Sequence, residues 1–336
     1  VPGAPAPGRA DTGDPPAVPD GAVSTGDSVD PELVGAAARF AARDLSDLEA
    51  ARTPRAAHSL ETPEDVTVRD VRVPRSDDEH PLLLRVFRPR GAGTGLPALV
   101  QLHAGGFVLG SIAQDHQRNV ALCRALSAVV VSVDYRLAPE HPYPAAVKDC
   151  CTALDWVHRT AGETGVDASR VALHGRSAGG GLAAATALLA RDRGGPAVRF
   201  LYLGMPQLDD RMTSASMWEF DRTPMWTRAS AERSWELYLG AGVPGSEGVD
   251  AYAAPARERD LRGLPPTYVS AMQLDPLRDE AIAFGSALLA AGVATELHVF
   301  PGTFHGSGGL VPEAGVSRRE LAEEIAVLGR AFARLR

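Results

Sequence analysis

Short apolar runs punctuate the chain from Val66 to Phe300, and most are followed by a longer stretch with apolar residues at helical spacing. The runs are Val66–Val73, Leu82–Arg88, Ala98–Leu102, Ala128–Val133, Val171–Leu173, Val198–Leu203, Thr267–Met272 and Thr295–Phe300. The helical stretches are Gln117–Leu126, Ala145–Thr160, Leu182–Arg193 and Asp279–Ala291, with a last one at Arg318–Arg334. The first two runs flank a charged turn, Arg75–His80, and read as a hairpin. The others alternate strand and helix. Strands this apolar need cover on both faces, so the pattern predicts a mostly parallel α/β sheet between two helical layers.

Three stretches break the pattern. Val1–Ser28 holds six Pro and five Gly without an apolar period and reads as an extended arm. Pro31–Thr53 places Leu33, Ala36, Ala37 and Phe40 at helical spacing, then Leu45, Leu48 and Ala51. One or two amphipathic helices are expected there; they cannot bury their apolar face alone and should dock on the rest. Leu208–Leu264 is an insertion without strand pattern that carries Trp218, Trp226 and Trp235, three of the chain's four tryptophans.

Composition narrows the function. The 336 residues can bury a large core, and 45% of them are hydrophobic. A net charge of −8 argues against a nucleic-acid partner and an anionic membrane surface. No apolar run approaches a membrane span. Cys123, Cys150 and Cys151 include no C-x-x-C and read as reduced thiols. With no signal-peptide pattern, a cytoplasmic protein is expected. Of the 34 basic residues one is a lysine, Lys148, so lysine-based nucleophilic chemistry has a single candidate. The histidines show no metal-ligand spacing, and no metal or cofactor is expected. Gly179-Gly180-Gly181 lacks the dinucleotide spacing.

The chemistry centres on Gly175-Arg176-Ser177-Ala178-Gly179, a G-x-S-x-G between a strand and a helix. Such a turn lifts the serine out of the sheet in a strained conformation, above a helix N-terminus that favours negative charge. Alone it is weak, since 34 residues are glycine. Three further strand ends supply the missing parts. His103-Ala104-Gly105-Gly106-Phe107 follows Ala98–Leu102, and its glycines let backbone N–H groups converge on one point. Gly105, Gly106 and Ala178 are therefore the expected oxyanion donors. Asp275 follows Thr267–Met272, and His305 follows Thr295–Phe300. Ser177 as nucleophile, His305 as base and Asp275 as its orienter stand in α/β-hydrolase order. Asp279 and Glu280 are the alternatives to Asp275. His298 is the alternative to His305, within a strand where a packed side chain is expected.

These motifs resemble the hormone-sensitive-lipase-like carboxylesterases of the α/β-hydrolase fold, from about Leu82 to the C-terminus. The resemblance rests on His103–Phe107, Asp134–Pro142, Gly175–Gly181, Asp275–Glu280 and His305-Gly306. It implies an eight-stranded sheet, a helical cap built from Pro31–Thr53 and Leu208–Leu264, and hydrolysis of short- to medium-chain esters without a cofactor. Residues 61–336 would then form the catalytic domain. Three positions depart from the family. Ala104 stands where it usually has Gly, Arg176 where it has Asp or Thr, and Gln273 where one branch has Glu.

His103 is expected to brace the glycine loop, and Asp134, Tyr135 and Arg136 to form a polar lattice below it. Phe107, Arg176, Met212, Trp218 and Trp226 are the candidate substrate contacts. Arg176 has two readings, a brace paired with an acid or a receptor for substrate carboxylate. The same triad serves acyl transfer, lactone or amide chemistry, where only the acceptor differs. A non-catalytic receptor on this fold is the remaining alternative. A homodimer contact through the arm stays open.

Overall fold

In a computed structural model, residues 28–42, 44–53 and 59–333 are described. The arm expected at residues 1–28, and any contact it makes with a second copy, fall almost wholly outside them.

All eight runs form strands: β1 Val66–Val73, β2 Leu82–Pro89, β3 Leu96–Leu102, β4 Val129–Asp134, β5 Val166–Arg176, β6 Phe200–Gly204, β7 Thr267–Leu274 and β8 Thr295–Phe304. They make one sheet in the order β1-β2-β4-β3-β5-β6-β7-β8. The β1/β2 and β2/β4 pairs are antiparallel and every other pair is parallel. The chain runs from β3 to β4 on one side and then crosses to β5 on the other. Above β3 and β5 the connections therefore part, which opens a crevice at their carboxyl ends. The glycine loop leaves β3 there and Ser177 leaves β5.

Side chains alternate along β5. Val171 and Leu173 join the core under α4 (Ala145–Arg159) and α6 (Ala178–Asp192). Ala172 joins the core under α3 (His116–Leu126) and α11 (Gly315–Phe332). His174 stacks on Tyr202 of that same layer, with ring centroids 4.6 Å apart. Period two then sends Arg176 toward α11 as well.

Differences from the expected elements have local causes. The helix after Ser177 begins at Ala178 rather than Leu182. Its first turn is Gly179-Gly180-Gly181, which shows no apolar period although all three are buried. The N-terminal segment forms two short helices, α1 (Val34–Arg39) and α2 (Leu48–Arg52), with Asp47 capping the second by accepting from Ala50 N–H at 3.0 Å. Leu33 and Ala36 pack with Phe220 of the insertion and with Phe300 and Phe304 of β8. Arg52 donates to the Val108 and Ala138 carbonyls, both at 3.0 Å, and pairs with Glu140 at 2.6 Å.

Within the insertion lie α7 (Ala215–Glu219), α8 (Arg228–Leu239) and a 3-10 turn at Pro255–Arg257. Thr227 caps α8 by accepting from Ser230 N–H at 3.2 Å. Two short helices, α5 (Ala161–Thr164) and α10 (Ser307–Leu310), and the longer α9 (Arg278–Ala290) complete the chain. Among the described residues no helix is long and apolar enough to cross a membrane.

Candidate active site

Ser177 caps α6 with φ +54° and ψ −125°, a conformation that side chains rarely adopt. Its backbone is held on both sides. The N–H donates to Gly204 O at 2.8 Å, and the carbonyl accepts from Gly180, Gly181 and Gln207 at 2.9, 3.1 and 3.0 Å. The turn closes only because its neighbours lack side chains. A Cβ on Gly175 would overlap the Gly179 carbonyl, and one on Gly179 would overlap the Leu102 carbonyl. The strain is thus supported by the surrounding contacts and leaves the hydroxyl beyond the end of β5.

His305 follows directly after β8. Its Nε2 lies 2.9 Å from Ser177 Oγ and its Nδ1 lies 2.7 Å from Asp275 Oδ2. A carboxylate only accepts, so Nδ1 carries the proton and Nε2 is free to take one from serine. Asp275 is fully buried, and its second oxygen accepts from Leu277 N–H at 2.9 Å.

The alternatives named from sequence are engaged elsewhere. Asp279 pairs with Arg278 at 2.7 Å and accepts from Ser216 N–H. Glu280 accepts from Leu208 N–H at 2.7 Å, and burial pushes its carboxyl well above the usual range. His298 packs on Phe300 with ring centroids 4.2 Å apart.

Across from the serine, Gly105 and Gly106 adopt φ +143° and +58°. The Gly105 carbonyl accepts from Val108 and Leu109 N–H at 3.1 and 2.8 Å, which curls the loop. Among the described residues the N–H groups of Gly105, Gly106 and Ala178 have no acceptor. His103 holds the base of this loop. Its ring stacks on Tyr135 at 4.0 Å, its Nδ1–H donates to Ala104 O at 2.9 Å, and Tyr135 Oη donates to its carbonyl at 2.7 Å. Burial lowers the His103 pKa, so the ring stays neutral. Below, Arg136 and Arg75 share the buried Asp149, at 3.0 and 2.7 Å. Asp134 accepts from Ile112 N–H at 3.4 Å.

Of the five candidate substrate contacts, Trp226 meets His305, with ring centroids 5.8 Å apart. Its Cη2 also lies 2.5 Å from where a Gly106 Cβ would stand. The other four have the following neighbours. Phe107 is buried against Tyr238 and Trp235, with ring centroids at 4.1 and 5.1 Å. Trp218 lies 37% exposed under Arg228, whose guanidinium carbon is 3.4 Å from the ring centroid. The Met212 carbonyl receives an Arg228 N–H at 3.1 Å, and the residue packs on the core. Arg176 donates to Glu320 Oε1 at 2.8 Å, both nearly buried, because strand alternation turns it toward α11. This is the bracing alternative.

Arg176→Gln should therefore leave the kcat/KM ratio of an anionic ester to its neutral analogue unchanged at low and high salt. Thermal unfolding should show a loss of about 2–4 kcal/mol, since Glu320 is left under-compensated. A ratio that falls in the variant at low salt and recovers with salt would put Arg176 back in the site.

Two residues that the sequence did not single out complete the surroundings. Ser234 of α8 donates from Oγ to Gly106 O at 2.8 Å, and Gln207 Nε2 donates to Ser234 Oγ at 3.1 Å. Nothing in the sequence marks Ser234, which sits in the patternless insertion. A cavity of about 330 Å³ lined by Thr67, Arg88, Thr94 and Gly165 opens at the amino ends of the strands, far from this chemistry.

Comparisons with known proteins agree with the architecture. The profile of a family described as alpha/beta hydrolase fold matches residues 99–308. Carboxylesterase NlhH of Mycobacterium tuberculosis is 40% identical over 229 residues, which cover 66% of this chain and 70% of that protein. Carboxylic ester hydrolase LipN of the same organism is 36% identical over 268 residues, covering 78% and 70%. The solved structure of a bacterial heroin esterase superposes with a TM-score of 0.87 at 42% identity, covering 92% of this chain and 100% of that one.

Proposed function

Because the chain belongs to the α/β-hydrolase fold family, in its hormone-sensitive-lipase-like branch, we propose that Ser177, His305 and Asp275 carry its carboxylesterase reaction. The observation that supports this most is His305 bridging Ser177 Oγ at 2.9 Å and Asp275 at 2.7 Å. In this reading Ser177 Oγ attacks the ester carbonyl carbon while His305 Nε2 takes its proton. The carbonyl oxygen becomes an oxyanion, and the unpaired N–H groups of Gly105, Gly106 and Ala178 receive it. The carbon–oxygen bond to the alcohol breaks, and His305 returns the proton to the leaving oxygen. Water then adds to the acyl-serine with His305 again as base. The acid leaves and Ser177 regains its hydroxyl. Asp275 keeps the imidazole in the required tautomer and stabilises it once charged.

We assign the N-terminal helices and residues 208–264 to a cap. Leu33 packing with Phe220, and Trp226 beside His305, support that assignment. The unbridged cysteines Cys123, Cys150 and Cys151 fit a reducing, cytoplasmic setting. Under this cap Ser177 is 3% exposed, which favours small acyl groups. With p-nitrophenyl esters from acetate to decanoate, kcat/KM should peak at the short to middle chains and fall by about tenfold or more at decanoate. A profile that keeps rising to decanoate would overturn the chain-length reading. Product analysis with added alcohol should yield mainly free acid; ester exchange as the main product would make the enzyme an acyltransferase.

A further inference from the structure

We propose that Ser234 and Gln207 form a relay through which the insertion sets the oxyanion hole, and that both are positioning residues for the ester reaction. This rests on the reading above that the Gly106 N–H is an oxyanion donor.

The relay begins at the nucleophile. Gln207 N–H donates to the Ser177 carbonyl at 3.0 Å, so its side chain starts from a point fixed to the elbow. Its amide Nε2 then donates to Ser234 Oγ at 3.1 Å. The Gln207 Oε1 is buried and has no partner among the described residues. A serine hydroxyl has one proton to give. The Gly106 carbonyl, 2.8 Å away, can only accept, so Ser234 gives it that proton and must accept from the Gln207 amide. Both Ser234 and Gln207 are completely buried, so water does not compete for these bonds.

Gly106 needs such a restraint. At φ +58° without a side chain it has several backbone wells of similar energy. Its N–H lies in the preceding peptide plane, which the Gly105 carbonyl holds through Val108 and Leu109 N–H. Its carbonyl lies in the following plane, which Ser234 holds. The two planes meet at the Gly106 Cα, so releasing the second lets φ and ψ there relax, and the aim of the N–H with them. Trp226 Cη2 fills the space where its Cβ would be. The insertion therefore grips Gly106 twice, through the Ser234 bond and the Trp226 ring. Donors in an oxyanion hole act mainly on the charge that develops in the transition state. Loss of their aim should then lower kcat rather than raise KM.

The test measures p-nitrophenyl butyrate hydrolysis per active site, titrated by burst or fluorophosphonate labelling, in Ser234→Ala, Ser234→Cys, Gln207→Met and Ser234→Ala/Gln207→Met. Butylboronic acid is the second probe, since it adds to a serine hydroxyl as a tetrahedral borate with an oxygen in the hole. Ser234→Ala should lower kcat per site by about tenfold with KM within about twofold. Its boronate Ki should rise by a similar factor. Ser234→Cys, a weaker donor, should fall between, and Gln207→Met should cost about threefold. The double variant should be no worse than Ser234→Ala, because Gln207 acts only through the hydroxyl. A role in folding alone would lower the titrated fraction and Tm but leave kcat per site and the boronate Ki unchanged. That result, or losses that multiply in the double variant, would overturn the relay. If Ser234→Ala does not fold, Ser234→Cys and Gln207→Met decide by the same readouts. Turnover retained in Ser177→Ala would sink the underlying mechanism. An inactive Ser177→Ala beside a parent-like Ser234→Ala would sink the relay alone.

Discussion

Ser177→Ala is expected to lower kcat/KM for p-nitrophenyl butyrate by about four to six orders of magnitude, with Tm within a few degrees of the parent. The hydroxyl makes one hydrogen bond to a side chain, the 2.9 Å contact with His305. Removing it takes away the hydroxyl that His305 Nε2 faces. The elbow itself is held by backbone bonds to Gly204, Gly180, Gly181 and Gln207, which alanine keeps. Alanine carries the same Cβ into the strained φ, so the conformational cost is nearly the same. Steady-state assays and melting curves on the purified pair check both halves. Turnover within about tenfold of the parent would mean that another group attacks the ester.

Asp275→Asn is expected to cost about 10⁴-fold in kcat while KM changes little. Asp275 is fully buried and accepts from His305 Nδ1–H at 2.7 Å and from Leu277 N–H at 2.9 Å. An amide in its place has one acceptor oxygen. The Leu277 N–H keeps that oxygen, which turns the NH₂ toward the imidazole. His305 must then accept at Nδ1 and carry its proton on Nε2, facing Ser177. A base with its proton already in that position cannot take the serine's. Asp279→Asn, by contrast, should keep kcat within about fivefold, because Asp279 serves Arg278 and Ser216 instead. If Asp275→Asn is mild and Asp279→Asn severe, the acid has been misassigned.

The sheet was legible because each strand repeats one physical rule. Apolar residues on both faces at Ala98–Leu102 or Thr267–Met272 leave no arrangement but a covered sheet. That Ser177, Asp275 and His305 come together was legible because each leaves a strand end within two residues of a Gly or Pro that marks the turn. Strand alternation also carried the fate of Arg176. It shares a face with Ala172 and His174, although only the packing of α11 shows that Glu320 waits there. The insertion was not legible. Its contacts with the site join residues far apart in sequence, such as Ser234 with Gly106 and Trp226 with His305, and no local period encodes them. Trp218 and Trp226 look alike as sequence. They part because Arg228 covers one, while the other closes over Gly106. Phe107 follows the glycines at positive φ and packs on Trp235 and Tyr238, contacts that its place in the sequence does not encode.

The central claim is that Ser177 becomes covalently acylated during turnover. Intact-mass and peptide-mapping spectrometry after incubation with a fluorophosphonate tests it most directly. Ser177 Oγ should displace fluoride and gain a single phosphonyl group, on the peptide that contains Ser177 and nowhere else. Esterase activity should vanish in step with that label, and His305→Ala should label far more slowly. Full activity with Ser177 unlabelled, or inactivation that tracks a label on another residue, would contradict the account.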